Sequence, residues 1–501
     1  MAEKSIIIIG AGLAGLSTGC YARMNGYNAH IFEHHSQPGG VAAAWKRGEY
    51  LFDYGTHWTF GHKPGQLIYD LFQELGVLPG NSFIDIQDYV SYYDEASSSI
   101  IHVTGDLTQL AADLTAISPQ DKPAVDAFIA HVAPFRGMDM SMGMDKPREL
   151  IGFFEKIRWF WVMRSMFKYF SGIYSKPMSE YVLVFRDPWL REVIKNLFFP
   201  EIPAWFACFI LALLADGQLF RVRGGSLSFV NAIANRYKAL GGEITFNATV
   251  EKILVKNNRA VGIRLADGTE HKADIVVSAA DGYSTIYKML GGRYVDTKID
   301  ERYKTWKLFK PIIMASYGVG MQFPDEPAIT FYKLAQPLRV ADEMIDGMGV
   351  RIFNYTPDFA PPGKTVVQAM IDTRWDYWSD MYERDRKAYE AEKKAIASEL
   401  LNRLESRLKG ISSKVEVTDV TTPYTTWRYT LNRSGSYEGF SPTPKAVMSR
   451  IPKTLPGLNN FYMAGQWVMP GGGMVPCMVS GRHVMQIICK RDGKGFRVIS
   501  E

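Results

Sequence analysis

Residues 5–33 leave this chain few folds to choose from. Ser5-Ile-Ile-Ile-Ile9 is a run of β-branched residues, the pattern of a strand buried on both faces in a parallel sheet. It ends in Gly10-Ala11-Gly12-Leu13-Ala14-Gly15, a G-x-G-x-x-G match. A helical stretch over 13–24 follows, closed by Asn25-Gly26, and a second apolar strand over 29–32 stops at Glu33. Gly10 permits the tight turn, Gly12 lets a pyrophosphate approach the backbone, and Gly15 lets the helix pack closely on the strand. The helix start offers unpaired N–H groups and a positive dipole end to phosphates, and an acid at Glu33 can accept from ribose hydroxyls. A glycine triplet alone is weak. Strand, triplet, helix, strand and acid together specify a dinucleotide site, against the alternative of a glycine-rich turn that binds nothing.

The triplet does not say which dinucleotide. Three further stretches do. Gln37-Pro38-Gly39-Gly40-Val41 follows Glu33, and Phe52-Asp53-Tyr54-Gly55-Thr56-His57-Trp58 comes next. Near the other end stand Met463-Ala464-Gly465-Gln466, then Gly471-Gly472-Gly473-Met474-Val475, then Ser480-Gly481-Arg482. Between them lie Arg223-Gly224-Gly225-Ser226-Leu227, Val250-Glu251-Lys252-Ile253 and a strand over 275–278 leading to Ala280-Asp281. With these motifs the chain resembles the FAD-dependent amine-oxidase and phytoene-desaturase superfamily, most of all its phytoene desaturase, carotenoid isomerase and retinol saturase branch. The resemblance covers about 1–60, 216–295 and 455–490. It departs from the branch at Gln37, Gln466 and Pro476-Cys477.

The resemblance implies an α/β fold. A Rossmann-like FAD-binding domain with a parallel sheet is expected, made of 1–60, 216–295 and 451–501. A discontinuous α+β substrate-binding domain is expected from the inserts 61–215 and 296–450. FAD would be held noncovalently by Gly10, Gly12, Leu13, Ala14, Gly15, Glu33 and His34 on the first element. Gly39, Gly40, Val41, Tyr54, Gly55, Thr56 and His57 would follow, with Val250, Ala280 and Asp281 from the middle block. Gly465, Gln466, Gly472, Gly473, Met474 and Val475 would close the site.

The length, 501 residues, would by itself suggest about three domains in a row. Hydrophobic residues are 47% and charged residues 22%, which excludes a disordered chain. A net charge of +5 over this length gives no reason to expect nucleic acid. Most of that charge lies in 148–176, where six basic residues, two acidic ones and nine aromatics are interleaved. Such a segment suits a surface that dips into a bilayer interface, or else a lid packed inside the protein. Residues 202–215, apolar but too short to span a membrane, are expected to line an apolar tunnel. Strands are expected over 314–319 and 366–371, and a long polar helix over 384–408. Cys20, Cys208, Cys477 and Cys489 form no metal or disulfide pattern, and no cleavage-site pattern opens the chain. The expected location is cytoplasmic, with peripheral membrane association.

A flavin carries the hard redox chemistry, and the protein supplies position and a dry pocket. A polyene has no polar handle, so its site should be an apolar channel. The reaction expected is desaturation, saturation or isomerisation of an isoprenoid or polyene by hydride transfer at flavin N5. His57 is the candidate group near the flavin, either shaping the pocket or moving a proton. Arg482 anchors the tail helix or faces the cofactor, and Cys477 could in principle carry a covalent flavin. His34 and His35 read as surface residues. No second G-x-G-x-x-G sits in a strand–helix–strand pattern, so oxygen, a quinone or an external reductase must exchange electrons. The alternatives are a flavin amine oxidase, which needs a flanking aromatic pair, and a lipid carrier similar to Rab GDP-dissociation inhibitors.

Overall fold

The computed structural model describes residues 3–499 except 56, 140, 142 and 450. The Ser5–Ile9 strand is the centre of a five-stranded sheet in which every pairing is parallel. Asn28–Phe32 and then Glu243–Thr245 lie on one side, Ile275–Ser278 and then Phe461–Met463 on the other. One sheet thus draws its strands from three distant stretches of chain. Side chains alternate across it as the strand period requires. Ile6 and Ile8 enter the core under the Leu13–Met24, Gly225–Ala239 and Met474–Arg491 helices. Ile7 and Ile9 enter a second core with Val250, Ile253 and Ile263 of an antiparallel three-stranded layer.

A seven-stranded sheet forms the rest of the frame, in the order 415–421, 312–319, 365–372, 343–352, 329–340, 88–94, 99–104. Its one parallel pairing, Thr330 to Ser91 onward, joins the two inserts in a single sheet. The helix expected over 384–408 is present as Arg386–Glu405, preceded by a separate helix, Trp375–Arg384. Asp385 separates them because its carboxylate accepts from Lys387 N and Ala388 N, capping the second. That helix buries Tyr389, Ile396, Ala397, Leu400 and Leu404 along one face.

Two segments of the first insert, 202–215 and 148–176, differ in how deeply they are buried. The Ala204–Ala215 helix is buried on most sides, but only Phe206 and Ile210 reach the cavity described below. Its other side chains are spent on core packing. Residues 148–176 divide: Met166, Tyr169, Phe170 and Tyr174 pack against the core, and the helix before them does not. The Phe153–Met163 helix buries only Met163, leaving Phe153 72%, Phe154 83% and Trp161 58% exposed.

Candidate active site

A single cavity of about 970 Å³ runs from the C-terminal ends of the parallel strands to the seven-stranded sheet. That is the position where open α/β sheets bind ligands. At one end the wall is backbone. Gly10 has φ +97°, and a Cβ on Gly15 would stand 1.9 Å from Gly10 O, so helix and strand meet only because both are glycine. Gly12 is different. A Cβ there would meet nothing in the protein closer than Gly39 O at 3.9 Å, so packing does not require glycine, but the Cβ would occupy the cavity. Gly12 caps the Leu13–Met24 helix without a side-chain bond, leaving first-turn N–H groups for a ligand.

Glu33 is buried on this wall. Its Oε2 accepts from Ala11 N at 2.6 Å and its Oε1 from His35 N at 2.8 Å, which orients the carboxylate and leaves further lone pairs for hydroxyls. Burial raises its pKa, and those two N–H groups oppose the rise. The cradle fits a dinucleotide: an open glycine, an uncapped helix and an oriented acid.

The motifs that looked separate in sequence converge. Asp53 accepts from Gly55 N, Ser226 N and Ser226 Oγ at 2.6–2.9 Å, tying the Tyr50–Asp53 strand to the start of the Gly225–Ala239 helix. A Cβ on Gly225 would lie 2.1 Å from that carboxylate, which is why Arg-Gly-Gly-Ser needs its second glycine. Ser480 Oγ accepts from Gly465 N and donates to Cys477 O, seating the tail on the Met474–Arg491 helix. Gly473 begins that helix, also without a side-chain cap, so a second helix N-terminus opens on the cavity.

Every site residue read from the sequence lies on the cavity wall except Gly15 and Thr56. Gly15 lies behind the wall, in the helix–strand contact. Thr56 lies outside the described residues. His34 is on the wall and half-buried, its ring nitrogens at 2.7 Å from Thr249 Oγ1 and 3.0 Å from Arg428 O. Asp281 is buried with its carboxylate accepting from Ser284 N and Arg433 N, so it holds a loop in place. Arg482 does not face the cavity. Its guanidinium donates to Glu74 and Asp145 O and lies over Tyr21 and Phe496. It anchors the tail helix.

The opposite end is side chain. Trp58, Phe198, Phe199, Phe206, Ile210 and Phe331 line it, with Trp58 packed against Phe198 and Tyr89. His57 stands between the two ends, its pKa well below the ordinary value through burial and then the Arg351 and Arg221 cations. It is therefore a neutral imidazole near pH 7, suited to shaping the pocket but not to giving a proton.

Sequence reasoning missed Glu438 and Asp372, both on the wall. Burial pushes Glu438 up to about 8, and burial pushes Asp372 up to about 6 with Lys310 opposing. The only sequence signal for either was a lone acid in an otherwise apolar or small-residue stretch. Cys477, also on the wall, is pushed up to about 12 by burial and by Glu438.

Comparison with known proteins extends these observations. Residues 13–489 match the model of the flavin containing amine oxidoreductase family. The prolycopene isomerase of Daucus carota is 23% identical, over 96% of this chain and 79% of its own. The neurosporene-forming phytoene desaturase of Rhodobacter capsulatus is 25% identical, over 96% and 93%. Among solved structures, an oxidoreductase from Methanosarcina mazei superposes with TM-score 0.60 at 16% identity, covering 96% of this chain and 100% of its own. Cyclohexylamine oxidase from Brevibacterium oxydans gives 0.60 at 12% identity, over 98% and 100%. The fold is the amine-oxidase fold, and the chain belongs to the flavin-containing amine oxidoreductase family.

Proposed function

We propose that this flavin-dependent oxidoreductase binds FAD noncovalently and acts on carbon–carbon bonds of a lipophilic isoprenoid or polyene, by desaturation, saturation or isomerisation. The observation that carries the reading is one continuous cavity, with a dinucleotide cradle at one end and aromatic and aliphatic walls at the other. Similarity over 96% of this chain to proteins named prolycopene isomerase and phytoene desaturase supports the substrate class.

When bound, FAD supplies a two-electron hydride acceptor or donor at N5. The chain's own residues do the rest. The Gly10–Ala14 turn binds pyrophosphate, and Glu33 takes ribose hydroxyls. Gly465 and the Gly472–Val475 turn close on the ring end. Phe199, Phe206, Ile210 and Phe331 exclude water and align an apolar chain by contact alone. Cys477 stays a neutral thiol, which supports noncovalent binding, because the thiolate is the nucleophile. Trp467, the one tail candidate for an amine-oxidase aromatic pair, packs on Phe440 at 5.3 Å and on Tyr303. Electrons pass to or from oxygen, a quinone or an external reductase. In this reading 1–60, 216–295 and 451–501 form the FAD unit, and the inserts form the substrate side.

The Phe153–Met163 helix is the surface we assign to peripheral membrane contact. Its exposed Phe and Trp side chains are interleaved with Lys156, Arg158 and Arg164, and a contiguous exposed apolar patch of this kind marks an interaction site. Among the described residues no helix is long and apolar enough to cross a membrane. Sedimentation with anionic lipid vesicles checks this: the wild type should pellet with them and a Trp159→Ser/Trp161→Ser variant should not.

Extraction of the purified protein, with flavin and lipid identified by mass, tests the main reading. FAD together with an apolar isoprenoid is expected. Protein that stays colourless after refolding with FAD contradicts it.

A further inference from the structure

Hydride transfer alone does not change a carbon–carbon bond order, because a proton must leave or join the neighbouring carbon. His57, neutral near pH 7 beside two arginines, is poorly placed to supply it. The cavity wall holds a better group. Glu438 lies between the two ends. On one side it supports the glycine-rich tail, since a Cβ on Gly472 would stand 2.8 Å from Glu438 Cβ and 3.0 Å from Glu438 O. On the other, the adjacent Tyr437 ring packs on Phe309 at 5.3 Å, and Phe309 on the cavity-lining Phe199 at 5.0 Å. Glu438 therefore stands where the tail meets the apolar channel. It lines the cavity, and burial alone, with no neighbouring charge, shifts its carboxyl.

Resting on the reading above, we propose that Glu438 exchanges the proton that accompanies hydride transfer. In the desaturating direction one substrate carbon loses a hydride, with its electron pair, to the flavin. The adjacent C–H bond breaks, its electron pair becomes the new π bond, and its proton goes to the Glu438 carboxylate. The substrate is oxidised by two electrons, which an acceptor of the quinone class or oxygen finally takes. In the saturating direction each transfer reverses and the protonated carboxyl donates.

The surroundings suit the task. The ionisable groups that face Glu438 are Tyr437 on its own segment and the Cys477 thiol, with Asp372, Tyr54 and Glu201 gathered around Tyr437. Lys310, also on the wall, acts on Asp372, and burial holds the Glu438 carboxyl neutral up to about pH 8. A group that titrates there can give or take a proton near neutrality. Donation by Glu438 should fall as pH rises through about 8, and acceptance should rise.

Infrared pH titration of the flavin-loaded enzyme tests this without turnover. The wild type should show a protonated-carboxyl C=O band that disappears with a midpoint near 8, absent in E438Q and present in E438D. A band that persists unchanged in E438Q, or a wild-type carboxyl that ionises in the ordinary glutamate range, overturns the proposal. In parallel, wild type and E438Q are incubated in D2O with phytoene, prolycopene and lycopene as probes. E438Q should lose on the order of a hundredfold or more in rate while retaining flavin, with E438D partly restored. An E438Q enzyme as fast as wild type overturns the proposal while leaving the polyene reading intact. Wild type inert towards all three counts against the polyene reading, and the carboxyl titration then decides on Glu438 alone.

Discussion

The two ends of the cavity are built from different materials. The cradle is backbone: Gly10, Gly12, Gly39 and Glu33 present N–H groups, open space and one oriented acid. The far end is side chain: Phe198, Phe199, Phe206 and Phe331 present apolar area without any fixed hydrogen bond to a ligand. Backbone geometry tolerates almost no substitution, whereas an apolar wall tolerates many of similar volume. The cradle should therefore fail sharply when changed, and the channel should change by degrees.

The sharpest way to break this contrast is at Gly15. Valine there drives Cβ into Gly10 O, a contact of 1.9 Å with backbone that has nowhere to move. Gly15→Val should cost about 3 kcal/mol or more and lower the melting temperature of apo and loaded protein alike. Gly12→Val should separate folding from binding. Its side chain meets open cavity, so apo stability should move by only about 0.5 kcal/mol, while FAD affinity falls on the order of a hundredfold. Equal loss of stability in both variants would mean that Gly12 is a packing residue.

Glu33→Gln sharpens the cradle further. It should weaken FAD about tenfold, through lost charge-assisted bonds to ribose, and leave flavin mononucleotide unaffected. At the far end, Phe206→Leu should leave flavin affinity unchanged and cost under about 1 kcal/mol in apparent substrate binding. The smallest effect concerns His57, held neutral well below its ordinary value of 6.5. Below about pH 6.5 the unfolded chain takes up a proton that folded His57 refuses, so stability falls as pH falls. A His57→Gln variant should show a shallower decline between about pH 6.5 and pH 5 in thermal melts.

The same contrast explains what was legible in the sequence. Gly10, Gly12, Gly15 and Glu33 could be read because a turn, a phosphate approach and a helix crossing each restrict one position to one or two residue types. Gly225 and Asp53 belong to motifs that could be read, but their mutual contact could not, since 172 positions separate residues whose meeting depends on the whole fold. Glu438 offered only a lone acid among small residues, and such an acid acquires its character from what buries it. The helix over 384–408 could be read because a long charged stretch with periodic apolar residues has one helical solution, and Asp385, its cap to Lys387 N and Ala388 N, fixes where it starts. Burial of the helix over 204–215 was plain from its composition. Which two of its side chains reach the cavity was set by helix rotation, which composition does not encode.

One cavity is proposed to bring a flavin and an apolar carbon chain together. Anaerobic absorption spectroscopy of the FAD-loaded protein tests it directly. Addition of phytoene in detergent, or of a reduced carotenoid of the same class, should bleach the oxidised flavin bands in wild type, and a Gly12→Val protein, whose FAD affinity is on the order of a hundredfold lower, should show correspondingly little bound flavin and little bleaching. Bands that bleach with primary amines and not with any polyene would contradict the claim.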